Sequence, residues 1–227
     1  MTSLDTVLVP ARADHSATIV WLHGLGASGH DFEPVVPMMN RPDVRWVFPH
    51  APQRPVTING GFVMPAWYDI KTLERGPGRE DADDIVAASK QISALLDAEV
   101  ERLGGRSQRL LLLGFSQGAA MSLHVGLRYP KTLAGVGCLS GYLVLEGRLE
   151  GERSAKNQET PVWFGHGTRD DVVPVAGGRH ARERLDTLGY TTSWQDWPMG
   201  HEVCLDELES LRDWFGAVLP VSAKPAP

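Results

Sequence analysis

An apolar run that stops on a serine is the feature of this chain most able to do chemistry. Residues 110–120 read Leu-Leu-Leu-Leu-Gly-Phe-Ser-Gln-Gly-Ala-Ala, with Ser116 enclosed by Gly114 and Gly118. A short leucine-rich run reads as a strand buried on both sheet faces, and the small residues after it suit a helix packed closely against that strand. A serine on such a strand-to-helix turn takes a strained backbone conformation, so its flanking side chains must shrink to hydrogen. The pattern predicts a nucleophile at Ser116. A Gly-Ser-Gly turn can also do no more than join a strand to a helix, so the serine's partners decide between the two.

A serine hydroxyl is a poor nucleophile at neutral pH and needs a base to take its proton and an acid to orient that base. In sheets of this kind the chain order is serine, acid, histidine. Of the histidines beyond Ser116, His124 falls inside the helix after the turn and His180 begins another helix. His166 follows a strand and reads as a structural turn residue. His201 follows a strand across Pro198-Met199-Gly200, a turn able to swing an imidazole over the carboxyl edge of the sheet, where ligands bind in open α/β folds. For the acid, Asp170 and Asp171 lie side by side just past another strand, and only one can face His201.

Negative charge building on a carbonyl oxygen also needs donors. The N–H of Gln117, next to the serine, is one candidate, and the second belongs on the loop after an early strand. Trp21-Leu22-His23-Gly24-Leu25-Gly26 is that loop, and the Leu25 N–H is the second candidate. The same glycines could cradle a phosphate, but the spacing of a dinucleotide fingerprint and the lysine of a P-loop are both missing. Neither a metal nor an organic cofactor is expected. Apolar residues on two long segments, Trp67 and Leu73 on one and Leu143 and Val144 on the other, are candidates to line a pocket for an acyl group.

The elements that must position these residues follow from periodicity and breakers. Strands are expected at residues 6–9, 18–22, 44–48, 109–114, 133–139, 162–165 and 191–197. Helices are expected at 81–103, ending on Gly104-Gly105, at 117–129 before Pro130, at 179–188 before Gly189, and from Cys204 to before Pro220. This alternation predicts an α/β fold with a mostly parallel central sheet and helices on both faces. Residues 54–78 and 142–160 read as long loops. Residues 1–219 are expected to form one domain without a large cap, followed by a flexible tail at 220–227.

Composition narrows the functional classes. The chain has 227 residues and a formal charge of -6, with Lys and Arg scattered, so neither nucleic acid nor anionic lipid is an expected partner. Cys138 and Cys204 form no paired or metal-spacing motif. The first residues show no secretory pattern, and no apolar run is long enough to span a membrane, so a cytoplasmic protein without a membrane anchor is expected. No heptad seam predicts an oligomeric state.

Several motifs in order carry a resemblance: His23-Gly-Leu-Gly26, Pro49-His-Ala-Pro52, Pro55-Val-Thr-Ile-Asn-Gly-Gly61, Met64-Pro-Ala-Trp-Tyr-Asp-Ile70, Gly114-Phe-Ser-Gln-Gly118, His166-Gly-Thr-Arg-Asp170 and Gly200-His201. Across about residues 18–219 the chain resembles the carboxylesterase and acyl-protein thioesterase family of α/β-hydrolases. The resemblance implies Ser116 as nucleophile, His201 as base and Leu25 and Gln117 as oxyanion donors, and it selects Asp170 over Asp171 as the acid. It implies an enzyme that cleaves a small-molecule ester, a thioester or a lysophospholipid. Ala119 departs from the family, which usually has a third glycine there. A dienelactone-type hydrolase would share the scaffold but carry Cys in place of Ser116, and a binding protein on the same scaffold would lack the Ser-Asp-His set.

Overall fold

Every residue of the strand Ala17–Leu22 is buried, and its side chains serve opposite faces in turn. Ala17, Ile19 and Trp21 enter one apolar cluster, while Val20 and Leu22 enter another. Leu110 and Leu112 divide from Leu111 and Leu113 in the same way. A strand set between two helical layers requires this period of two with both faces apolar.

The computed structural model describes residues 4–74, 76 and 78–221. Its strands are β1 (Thr6–Val9), β2 (Ala17–Leu22), β3 (Val44–Pro49), β4 (Gln53–Val56), β5 (Phe62–Pro65), β6 (Leu110–Phe115), β7 (Gly135–Leu139), β8 (Val162–Gly167) and β9 (Thr192–Trp197). Seven of them form one sheet in the order β1-β3-β2-β6-β7-β8-β9. Only the β1–β3 pair is antiparallel. The helices are α1 (Val36–Met39), α2 (Ala82–Arg102), α3 (Gln117–Gly126), α4 (Glu146–Glu152), α5 (Val175–Thr187) and α6 (Leu205–Val218).

Helices α2, α3 and α5 cover one face of the sheet through Ile85, Ile92, Leu96, Met121, Leu123 and Leu185. On the other face, α1 and α6 bury Val36, Met39, Leu208, Leu211 and Phe215. Helix α2 starts where its acidic first turn predicts, because the Asp81 carboxylate accepts from the N–H groups of Asp83 and Asp84 at 3.0 Å each. No helix among the described residues is long and apolar enough to cross a membrane.

The two expected loops both contain regular structure. Strands β4 and β5 pair antiparallel from Gln53↔Pro65 to Val56↔Phe62, outside the main sheet. Pro55 and Pro65 are what made this stretch read as loop, yet a two-stranded ribbon has free outer edges on which a proline loses no ladder bond. Helix α4 has two glycines and one buried residue, Leu149, so its sequence has little helical signal. Ion pairs to its neighbours hold it: Glu152 with Arg128, just beyond α3, at 2.8 Å, and to α5 Glu146 with His180 at 2.8 Å and Glu150 with Arg184 at 3.2 Å. Helix α3 ends at Gly126, short of the expected 129, and α5 begins at Val175, earlier than expected. Of the expected tail, Pro220 accepts a hydrogen bond from Arg109 at 2.8 Å, and 222–227 lie outside the described residues.

One charged cluster pins the entry to the first two parallel strands. The Arg41 guanidinium donates to both Asp43 oxygens, at 2.8 and 2.9 Å, and the Ser16 hydroxyl also donates to Asp43. The bonds from Arg41 pull the Asp43 carboxyl from 3.8 down to about 2, against the upward push of burial. Because the folded value lies below the unfolded one, this stability is present above about pH 4 and is lost as pH falls toward 2. Asp43→Asn is expected to cost about 2 kcal/mol at pH 7. Denaturant titration checks this: the gap between the two proteins should shrink as pH falls from 4 to 2, and a gap that stays constant would assign the cost elsewhere.

Candidate active site

Ser116 sits between β6 and α3 with φ 57° and ψ −119°, a conformation that costs a non-glycine residue on the order of 1–3 kcal/mol. The turn is enforced from both sides. A Cβ at Gly114 would overlap the backbone of Gly118, and a Cβ at Gly118 would overlap the carbonyls of Leu22 and His23 at the end of β2. Strand β6 and helix α3 can therefore meet β2 this closely only with glycine at both positions. The Ser116 N–H donates to Leu139 at 2.9 Å, which ties the turn to β7. Ala119, the departure from the family pattern, is buried, and its methyl fits because the residue opposite is Gly141, where a Cβ would lie 2.5 Å from it.

His201 is delivered by the turn after β9. A Cβ at Gly167, the last residue of β8, would overlap the carbonyls of Met199 and Gly200, and the Arg169 N–H donates to Met199 at 3.0 Å. This clamp brings His201 Nε2 to 2.8 Å from Ser116 Oγ and His201 Nδ1 to 2.7 Å from Asp170 Oδ2. The Phe115 ring packs on the imidazole at 4.7 Å between centroids. Asp170 is buried, and its other oxygen accepts from the N–H groups of Val172 at 2.9 Å and Val173 at 2.7 Å. Burial pushes this carboxyl up, but the hydrogen bond from His201 and those two N–H groups outweigh it and hold Asp170 below its ordinary value. Asp171 is exposed and makes none of these contacts.

The remaining histidines do not reach the serine hydroxyl. His166 is buried and donates through Nε2 to the Val173 carbonyl at 2.8 Å, the structural role expected of it. His124 is buried in α3, where burial and then Arg128 push it down to about 3. His180 pairs with Glu146 on the surface.

Opposite the serine, the loop after β2 is held from three directions. His23 Nε2 accepts from the Ala51 N–H at 2.9 Å, so Nδ1 carries the proton and donates to the Gly24 carbonyl at 2.7 Å. Burial lowers the His23 value and keeps this ring neutral. The Gly26 N–H donates to Pro65 at 2.8 Å, at the end of β5. Trp67 Nε1 donates to the His23 carbonyl at 2.9 Å. Sequence reasoning missed the Gln117 side chain: its Oε1 accepts from the Trp67 N–H at 2.7 Å and its Nε2 donates to the Tyr68 carbonyl at 2.8 Å. Among the described residues, the N–H groups of Leu25 and Gln117 donate to no protein acceptor.

These groups open on a cavity of about 320 Å³ lined by Leu25, Phe32, Ile58, Leu73, Ser116 and His201, among others. A larger cavity of about 930 Å³ shares Leu73, Arg79, Tyr142, Val172 and Val173 with it and adds Leu143. Leu73 and Leu143 thus face open space, whereas Trp67 and Val144 line neither cavity. Trp67 is fully buried because its indole N–H finds an acceptor behind the loop it supports, and Val144 is buried in the core beside α3 and α4. No group of three or more His, Cys, Asp or Glu side chains among the described residues is arranged to hold a metal ion.

A hydroxyl, an imidazole and a carboxylate in hydrogen-bonded series, beside two unpaired N–H groups and an apolar cavity, are the parts an acyl-transfer enzyme needs. The sequence pattern of the phospholipase/carboxylesterase family matches residues 5–219. Acyl-protein thioesterase 1 of Neurospora crassa is 36% identical over 225 residues, covering 94% of this chain and 91% of the relative. Acyl-protein thioesterase 1 of Schizosaccharomyces pombe is 41% identical over 187 residues, covering 82% and 83%. The crystal structure of Zea mays acyl-protein thioesterase 2 superposes with a TM-score of 0.83 at 29% identity, covering 95% of this chain and 99% of that one. The chain belongs to the phospholipase/carboxylesterase family of α/β-hydrolases. It is a carboxylesterase- and acyl-protein-thioesterase-like hydrolase.

The close approach at Gly118 is testable apart from any activity. Gly118→Ala is expected to cost at least about 2 kcal/mol, because neither the β2 carbonyls nor the start of α3 can yield to a methyl group. A thermal unfolding midpoint equal to that of the wild type would contradict this packing.

Proposed function

We propose that the protein is a serine hydrolase of acyl esters and thioesters, acting through Ser116, His201 and Asp170. Ser116 Oγ attacks the carbonyl carbon while its proton passes to His201 Nε2, and Asp170 stabilises the imidazolium through Nδ1. The N–H groups of Leu25 and Gln117 hold the oxyanion as the tetrahedral intermediate forms. When that intermediate collapses, His201 returns the proton to the departing alcohol or thiol and leaves the acyl group on Ser116. Water, activated by the same imidazole, then releases the carboxylic acid. No step calls for a metal or organic cofactor.

The observation that carries this reading is the unbroken series from Ser116 Oγ through His201 to Asp170, at 2.8 and 2.7 Å, with the far carboxylate oxygen fixed by two N–H groups. Relatives named acyl-protein thioesterase favour acyl thioesters among the substrates. Leu73 and Leu143, which face the joined cavities, are the residues proposed to contact the acyl group.

Ser116→Ala is expected to lower kcat for a chromogenic ester about 10⁴-fold or more while leaving the unfolding midpoint in place. Full activity in that variant would remove the proposal. Asp170→Asn should lower kcat on the order of 10³- to 10⁴-fold and Asp171→Asn should not, since only Asp170 fixes the His201 tautomer. The opposite ranking would contradict the assignment of the acid.

A further inference from the structure

Glu207 lies in the first turn of α6, fully buried, and among the described residues neither of its carboxyl oxygens has a hydrogen-bond partner. Its Oε1 rests on the backbone of Gly165 in β8, where any Cβ would overlap both the carboxyl and the Trp163 ring. Gly165 thus makes room for a carboxyl group in the interior.

No charge answers it from the elements packed around it. Strand β8 presents Trp163 and Gly165, and β7 presents Leu139 on this face, its Cys138 packing on the opposite one. On the α6 side β9 offers Gln195, bonded to Ser210, and Trp197, while its Asp196 pairs with Arg179. Helix α1 offers Val36 and Met39. Arg41 donates to the Phe215 carbonyl of α6 and is paired with Asp43, and on α6 itself Asp206 and Glu209 are exposed. A buried carboxylate without a protein cation or N–H donor costs far more than a protonated carboxyl in the same place. Burial alone accordingly pushes Glu207 up to about 8.

Its place in the chain gives that carboxyl a consequence. The segment carrying His201 runs from β9 to α6. It is clamped at its start by Gly167 against Met199 and Gly200, and α6 begins at Leu205 just beyond it. The contact between Glu207 and Gly165 seats the first turn of α6 on the same strand, β8. We propose that Glu207 is a positioning residue, kept as a neutral carboxylic acid beneath the His201 segment, and that its ionisation drives the start of α6 off β8 and loosens His201. The effect on activity rests on His201 being the base; the buried neutral acid does not.

The sign follows from linkage. An unfolded or opened chain ionises Glu207 near its ordinary 4.5, whereas the closed fold keeps the proton to higher pH. Between those limits the fold binds more protons, so its stability falls as pH rises from about 5 to about 8 and levels off above. Each pH unit in that window multiplies the opening equilibrium about tenfold.

The experiment compares wild type with Glu207→Gln, measuring thermal midpoints from pH 5 to 9 and ester hydrolysis at each pH. The midpoint of Glu207→Gln should gain steadily on that of the wild type between pH 5 and 8, and its activity ratio, pH 9 over pH 6, should exceed the wild-type ratio several-fold. Parallel midpoint curves, or equal activity ratios, would overturn the proposal. If Glu207→Gln does not fold, carbon-13 NMR of wild type labelled at glutamate carboxyls replaces it. One glutamate titrating far above the others supports the proposal, and all of them titrating near their ordinary pH overturns it. Midpoints and NMR titration need no turnover, so they separate failure here from failure of the serine-hydrolase reading, which an active Ser116→Ala would expose.

Discussion

Ser116 holds a strained backbone conformation with positive φ, and the rest of the site is arranged around keeping it there. The turn exists because β6 enters it and α3 leaves it within contact of the β2 backbone, an approach that any side chain at Gly114 or Gly118 would prevent. That approach also sets the distance from the serine to the loop after β2, since the carbonyls lying against Gly118 belong to Leu22 and His23, at the base of that loop. One close backbone packing therefore fixes the proposed nucleophile and the proposed oxyanion donors relative to each other. Leu25 and Gln117 need no side-chain chemistry for that role, because the fold positions their N–H groups.

Electrostatics completes what the packing begins. A buried carboxylate stays ionised only when donors compensate it, and Asp170 has His201 on one oxygen and two N–H groups on the other. Glu207, with no donor among the described residues, is pushed the opposite way. Two carboxyls near the same histidine segment are thus pushed in opposite directions by their surroundings. His23 shows the same economy: a backbone N–H on one nitrogen fixes its tautomer, and the other nitrogen steadies the loop.

Much of this was legible in the sequence wherever the signal is local. The run from Leu110 to Gly118 spells a buried strand, a turn that forbids side chains and a closely packed helix, and β6 and α3 follow it. His201 was legible because a proline-glycine turn after a strand places a side chain over the sheet edge. The choice between Asp170 and Asp171 was not, because neighbouring residues differ only in orientation; the turn that points one inward depends on the Val172 and Val173 N–H groups. Trp67 was misplaced as a pocket residue since an aromatic on a long loop reads as a lining, whereas its indole N–H binds a carbonyl of another loop. The β4–β5 ribbon and α4 escaped notice because proline and glycine hid them, and only tertiary partners stabilise them.

What distinguishes Ser116 from the other serines is its hydrogen bond to His201 and its strained turn. Reaction with a fluorophosphonate, which adds covalently to an activated serine, followed by digestion and mass spectrometry, tests it most directly. One modified peptide is expected, labelled at Ser116, with labelling slowed by orders of magnitude in His201→Gln. Labelling at another residue, or an active enzyme that takes up no label, would contradict it.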